Sequence, residues 1–227
     1  MLDSIEPPKE GLGLDGIFLT HAHIGHYLGL AYLGREAAGA QSVPVYALPR
    51  MTEFLRTNGP WNQLVELQNI ALREMTAKDP VTLPGGTSVS ALVVPHRDEY
   101  SETAGFVIKS PAGKSAMFIP DIDSWSEWED EQGMQLPEVV KTMDLLFVDA
   151  TFFDDGELPG RDMSKIPHPR VTETMELLAD MSDEQRAKVH FIHYNHSNPI
   201  RDPESEQSAM VAKRGFGIAR RGARFCL

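Results

Sequence analysis

Cysteine is almost missing from this chain. Cys226 is the single thiol in 227 residues, so no internal disulfide can form, which fits a reducing compartment. No apolar run reaches the ~18–20 residues needed to span a bilayer, and no membrane partner is expected. The start, Met1 to Pro8, lacks both the basic and the apolar region of a signal peptide, which predicts a cytoplasmic protein. Basic charge is scarce too: 21 Lys and Arg stand against 33 Asp and Glu, a net charge of −12 with the eight histidines neutral. That balance argues against a chain built to grip a phosphate backbone and disfavours a nucleic-acid partner. It leaves room for small anionic substrates held by a metal. There is no GxSxG elbow, no phosphate-cradling glycine loop, no CxxC pair and no internal repeat. The charged fraction of 24% and hydrophobic fraction of 41% are those of an ordinary globular chain, and the length suffices for a sizeable core.

Short apolar runs alternate with segments of helical period, which reads as α/β (or α+β) in one domain over 1–227. Residues 16–20 predict a buried strand and 28–38 a helix stopped by Gly39. Residues 43–47 predict a short strand whose Pro44 favours an edge or a strand start. Residues 52–56 predict a helical turn. Strands are expected at 89–94, 105–109 and 116–119, with one buried on both faces at 145–148. A helix at 171–181, a strand at 189–192 and a surface helix at 204–214 follow. The stretches 124–135 and 153–169, rich in charge or proline, read as loops.

The chemistry gathers where apolar runs end. Ile17-Phe18-Leu19-Thr20 runs into His21-Ala22-His23-Ile24-Gly25-His26, so three of the eight histidines fall within six residues. Leu92-Val93-Val94-Pro95 ends in His96, Met117-Phe118-Ile119-Pro120 in Asp121, Leu145-Leu146-Phe147-Val148 in Asp149, and Val189-His190-Phe191-Ile192 in His193. Strand ends in layered α/β folds converge on one edge, where loops build sites on a rigid scaffold. Imidazoles and carboxylates are ligands for zinc. His21 and His23, two apart, share one side of an extended segment, and a turn into a helix brings His26 round to the same point. His190 has the opposite strand parity and reads as structural. Trp125 and Trp128 read as caps on a core edge or, less simply, as walls of a substrate pocket. Arg97, Asp98, Glu99 and Tyr100 read as a solvated loop.

His21 to His26 resembles the HxHxDH signature of the metallo-β-lactamase superfamily, and His96, Asp121 and His193 match its later metal motifs in order, over about residues 16–218. The resemblance implies a four-layer αβ/βα sandwich with a metal site at one edge. It implies that His21, His23 and His96 hold one ion, His26 and His193 a second, and that Asp121 bridges them. The segments Phe147-Val148-Asp149-Ala150-Thr151-Phe152 and His193-Tyr194-Asn195-His196-Ser197-Asn198-Pro199 are similar to the pyrroloquinoline-quinone biosynthesis protein B branch. Asp149 and Ile166-Pro167-His168-Pro169 resemble the carboxylate–histidine proton relay of the superfamily's tRNA-maturation endonucleases, with aspartate in place of glutamate. They are the expected catalytic pair, since a departing leaving group needs a proton.

Two departures stand out. Gly25 occupies the position of the signature's metal-binding aspartate, so the second ion loses a carboxylate unless His196 compensates or replaces His193. Only 20 residues precede His21, so the first strands of the fold are expected to be reduced or missing. The expected activity is that of a metallo-hydrolase, with one or two zinc ions and a small-molecule substrate containing an ester, lactone, amide or phosphodiester. His-rich sites also accept iron or manganese. The alternatives are an iron-dependent redox enzyme related to quinone-cofactor biosynthesis, and a ligand carrier that has lost catalysis. A homo-oligomer stays open.

Overall fold

The computed structural model describes residues 13–77 and 79–227. The segment Met1 to Pro8, on which the signal-peptide expectation rests, lies outside the described residues. Two compact units are present: residues up to Pro80 together with Asp98–Ala104, and Val81–Arg97 together with Gly105–Leu227. No helix among the described residues is long and apolar enough to cross a membrane.

In the first unit, β1 (Ile17–Phe18), β2 (Val43–Ala47) and β3 (Ile70–Glu74) form a parallel sheet in that order. Pro44 stands in the central strand, one residue ahead of the point where β1 begins to pair, so its missing N–H interrupts nothing on that side. Between β1 and β2 lie α1 (Ile24–Tyr27) and a 3-10 helix, Leu28–Leu33. The single α-helix expected over 28–38 is therefore not formed. Gly29 and Gly34 carry a high entropic cost in a helix, and the chain leaves at Gly34 in an extended conformation. Between β2 and β3 come α2 (Pro49–Thr57) and α3 (Trp61–Glu66). Leu19, Val45, Met51, Leu55, Trp61 and Ile70 belong to this unit's core.

The second unit is built on a sheet of order β10-β9-β8-β7-β6-β5-β4, made of β4 (Val81–Thr82), β5 (Ser88–Val94), β6 (Thr103–Lys109), β7 (Ser115–Ile119), β8 (Leu145–Asp149), β9 (Val189–Ile192) and β10 (Gly217–Ile218). The run β7, β8, β9 and β10 is parallel, so the strand ends carrying Asp121, Asp149 and His193 lie at one edge. Helices α4 (Trp125–Gln132) and α5 (Leu136–Thr142) join β7 to β8, while α6 (Val171–Leu177) and α7 (Asp183–Arg186) precede β9. Helix α8 (Glu206–Lys213) lies between β9 and β10.

Helix α4 corrects the loop expected over 124–135. Ser124 caps it by accepting from the Glu127 backbone N–H, and Gly133 ends it at a φ of 67°, the left-handed conformation suited to glycine. Its charges face outward, while Trp125 and Trp128, three residues apart, enter the core. The Trp125 indole N–H donates to Thr174 Oγ1 at 2.9 Å. The stretch 153–169 is irregular as expected, apart from a 3-10 turn at Met163–Lys165.

His190 packs as a structural ring. Burial pushes its pKa down, and Phe147 and Phe225 flank it at centroid distances of 5.8 and 4.7 Å. Gly217 runs against it so closely that a Cβ there would fall 2.3 Å from His190 Cδ2. Gly217→Ala is expected to destabilise by about 1–3 kcal/mol through overpacking. The check is the urea midpoint, and an unchanged midpoint would show that the ring yields freely.

Candidate functional site

In the first unit, the turn after β1 folds the three clustered histidines onto one another. His21 is 1% exposed, and its Nδ1 lies 3.1 Å from Thr20 Oγ1. Its Nε2 is 2.8 Å from His23 Nδ1, and its ring centroid is 4.2 Å from that of His26. Glu99 reaches His23 Nε2 at 3.0 Å, and Ser101 Oγ accepts from Ala22 N–H at 2.8 Å. The segment read as a solvated loop thus braces the cluster through Glu99.

In the second unit, the strand ends bring together three imidazoles and three carboxylates. His96 Nδ1 lies 2.6 Å from Asp123 Oδ1, with the histidine side chain 1% exposed. A carboxylate acceptor makes Nδ1 the protonated nitrogen and Nε2 the lone-pair atom. Burial lowers the His96 pKa despite the charges of Asp121 and Asp123, which favours the neutral, ligating form. His193 Nδ1 lies 3.1 Å from Thr151 Oγ1 and 3.3 Å from Asp121 Oδ1. His193 holds a left-handed φ of 58°, a conformation costly for a non-glycine residue and frequent at functional sites.

Asp149 is fully buried and saturated with donors. Its Oδ1 accepts from the Thr151 N–H and the Thr151 hydroxyl, both at 2.7 Å. Its Oδ2 accepts from Ile122 N–H at 3.1 Å and from His168 Nδ1 at 2.7 Å. The pair expected from sequence is therefore in hydrogen-bond contact. Burial by itself would lower the His168 pKa, but the Asp149 hydrogen bond and the charges of Asp149, Asp121 and Asp123 outweigh it and raise the pKa. Asp121 Oδ1 stands 3.6 Å from the same nitrogen. Ligand-type atoms of Asp121, Asp149 and His168 all lie within 4.8 Å of one another. Buried carboxylates among imidazoles form a donor set that fits a metal ion.

Two contributors carried no motif. Asp123 stands alone after Asp121, and a single aspartate past a strand end ordinarily signals a turn and not a site. Arg170 had no signal at all. Its guanidinium donates to the carbonyls of His168 at 2.6 Å and Met163 at 2.5 Å, pairs with Asp155 at 2.8 Å, and lies over the Phe152 ring. It fastens the loop that presents His168. His196 is exposed, with its Nδ1 2.9 Å from Asn195 Oδ1.

The sequence profile of the beta-lactamase superfamily domain matches residues 3–194. The chain belongs to that superfamily. Within it, the chain is similar to coenzyme PQQ synthesis protein B of Methylorubrum extorquens, at 25% identity over 95% of this chain and 75% of that one. The protein of the same description from Klebsiella pneumoniae is 25% identical over 92% of this chain and 71% of its own. The crystal structure of Zn(2+)-bound PqqB from Methylobacterium extorquens superimposes with a TM-score of 0.73 at 22% identity, covering 93% of this chain and 73% of that one. The mixed α/β architecture is therefore the superfamily's metallo-β-lactamase fold.

Carboxylate–histidine pairs of the His96–Asp123 type orient metal ligands and raise their basicity. Asp123→Asn is expected to weaken metal affinity about 10–100-fold with the fold retained. Competition with a chromogenic chelator reads this directly, and undiminished affinity would remove Asp123 from the site.

Proposed function

We propose that the protein is a metal-dependent hydrolase acting on an ester, lactone, amide or phosphodiester of a small molecule. The observation that carries this reading is the buried Asp149–His168 pair, 2.7 Å apart, with Asp121 beside it. His21, His23, His26, His96, Asp121 and His193 are the proposed ligands, one or two zinc ions the proposed cofactor, and Asp149 and His168 the catalytic pair. Proximity to Asp121 supports His193 over His196. A bound zinc ion supplies a water acidic enough to act as nucleophile near neutral pH, and an electrophile for the group attacked. Asp149 fixes the His168 tautomer through Nδ1, which leaves Nε2 to deliver a proton to the leaving group. Asp123 and Thr151 fix the tautomers of His96 and His193 in the same way, each through Nδ1.

Elemental analysis of protein purified with and without oxygen, followed by a panel of chromogenic esters, lactones and phosphodiesters, tests the reading. Zinc with oxygen-independent turnover supports it. The likeness to proteins described as coenzyme PQQ synthesis protein B favours a second reading, an iron-dependent redox enzyme in quinone-cofactor formation. Iron with oxygen-dependent turnover would establish that one and sink the hydrolase. A folded, metal-free protein would sink both and support a carrier.

Gly25 offers a further check. A Cβ there meets nothing within 4 Å beyond its own helix backbone and chain neighbours, so the aspartate of the family signature has room. Gly25→Asp is expected to raise the affinity for a second equivalent of zinc about tenfold or more. Metal titration followed by calorimetry reads the change, and an unaltered second step would count against a two-ion centre.

A further inference from the structure

The second unit holds a cavity of about 570 Å3 with His168 in its wall. Arg97, Arg161 and Lys165 line it, and among the described residues no carboxylate does. That lining runs against a chain with 33 acidic residues and 21 basic ones. It is also no general property of the unit's hollows, because a cavity of about 670 Å3 is lined by Glu129, Glu173 and Glu176.

Of the thirteen arginines in the chain, six pair with a carboxylate among the described residues, and the two in the wall are among the seven that do not. Arg35, Arg50, Arg56, Arg170, Arg186 and Arg214 each meet a carboxylate. Among the described residues Arg97 and Arg161 meet none. Lys165 pairs with Asp162 at 3.2 Å, but both side chains are largely exposed, and such a pair holds weakly. Phe152 and Ile166 add apolar wall, and Asn195 an amide. Three cations about one hollow, with a single exposed counter-charge in Asp162, create a field that concentrates anions. The guanidinium fork matches the oxygens of a carboxylate or phosphate.

We propose that this cavity is the anion subsite of the substrate: it takes a small molecule bearing a carboxylate or phosphate, held by Arg97 and Arg161, with Lys165 adding charge. Resting on the hydrolase reading, it names the substrate class. The anionic group sits in this hollow while the scissile bond lies against His168, so neutral substrates of the same length are disfavoured.

Calorimetric titration of the protein as purified with glutarate, inorganic phosphate and the neutral glutaramide provides the test. At least one anion is expected to bind, with glutaramide about tenfold weaker or worse than glutarate where the carboxylate is preferred. Comparison of glutarate with phosphate tells a carboxylate site from a phosphate site. The double variant Arg97→Gln, Arg161→Gln is expected to lose about tenfold or more in anion affinity, with metal content and circular dichroism unchanged. Arg161→Gln alone serves if the double variant does not fold. Equal affinity in wild type and variant would put the anion elsewhere and overturn the proposal. Failure of both anions to bind, or glutaramide binding better than either anion, would do the same. Since binding is the readout, a protein that holds glutarate through these arginines yet hydrolyses nothing would end the hydrolase reading and leave the subsite standing.

Discussion

Replacing His168 by alanine is expected to slow turnover by about 10²–10⁴-fold, the usual range for losing a positioned general acid, while the metal content stays at the wild-type level. The nitrogen facing Asp149 is committed to that carboxylate, so the lost function is proton delivery. The pH profile separates this from a purely structural loss. The His168 pKa is raised by its carboxylate neighbours against the pull of burial, so the protonated form persists above the ordinary imidazole value of about 6.5. Wild-type activity should therefore fall on an alkaline limb that starts above that value, and His168→Ala should lack the limb. By the same linkage, the contribution of His168 to folding stability is complete below the ordinary value and is lost as pH rises through the raised one. Loss of metal in the variant would make His168 a ligand, which the closeness of Asp121 and Asp149 allows.

Asp149→Asn is expected to be the most damaging conservative change for stability. The side chain is fully buried, and its two oxygens accept four hydrogen bonds. An amide of the same volume turns an NH2 toward two of those donors, whichever way it is oriented, and takes from His168 its nearest counter-charge. The cost is about 3–5 kcal/mol, or a fall in Tm of roughly 6–20 °C at about 2–4 °C per kcal/mol. Thermal unfolding followed by circular dichroism measures it. A shift within 2 °C, roughly the effect of a surface substitution, would mean that the pair contributes little to the fold.

These two residues illustrate what was legible in the sequence. Asp149 could be noticed because it ends a continuous apolar run, and β8 does lie between parallel neighbours. His168 lies 19 positions away in an irregular stretch, so its pairing was expected only through family resemblance. Helix α4 stands where a loop was expected, because its charge density resembles that of a loop. The Ser124-x-x-Glu127 cap and the spacing of Trp125 and Trp128 were the local signals that outweigh charge. The helix expected over 28–38 failed for the converse reason: its apolar period was right, but Gly29 and Gly34 sit inside it. Asp123 acts through one hydrogen bond to a histidine ring and Arg170 through several to the backbone of the loop that carries another, and one aspartate or one arginine leaves no periodic trace.

Taken alone, the sequence determined that the chain is acidic, can form no internal disulfide, and alternates apolar strands with helices, and that histidines and aspartates stand where those strands end. Burial drives that pattern, and burial writes itself into periodicity. Tertiary structure alone decided which carboxylate faces which imidazole. His96 meets Asp123 across 27 residues, and His193 meets Thr151 across 42. Those meetings depend on strand register and loop path, which fix distances to fractions of an ångström. It also decided that Arg97 and Arg161 line one hollow with His168. In the sequence they are two unremarkable surface arginines 64 positions apart; the fold gives them a common target.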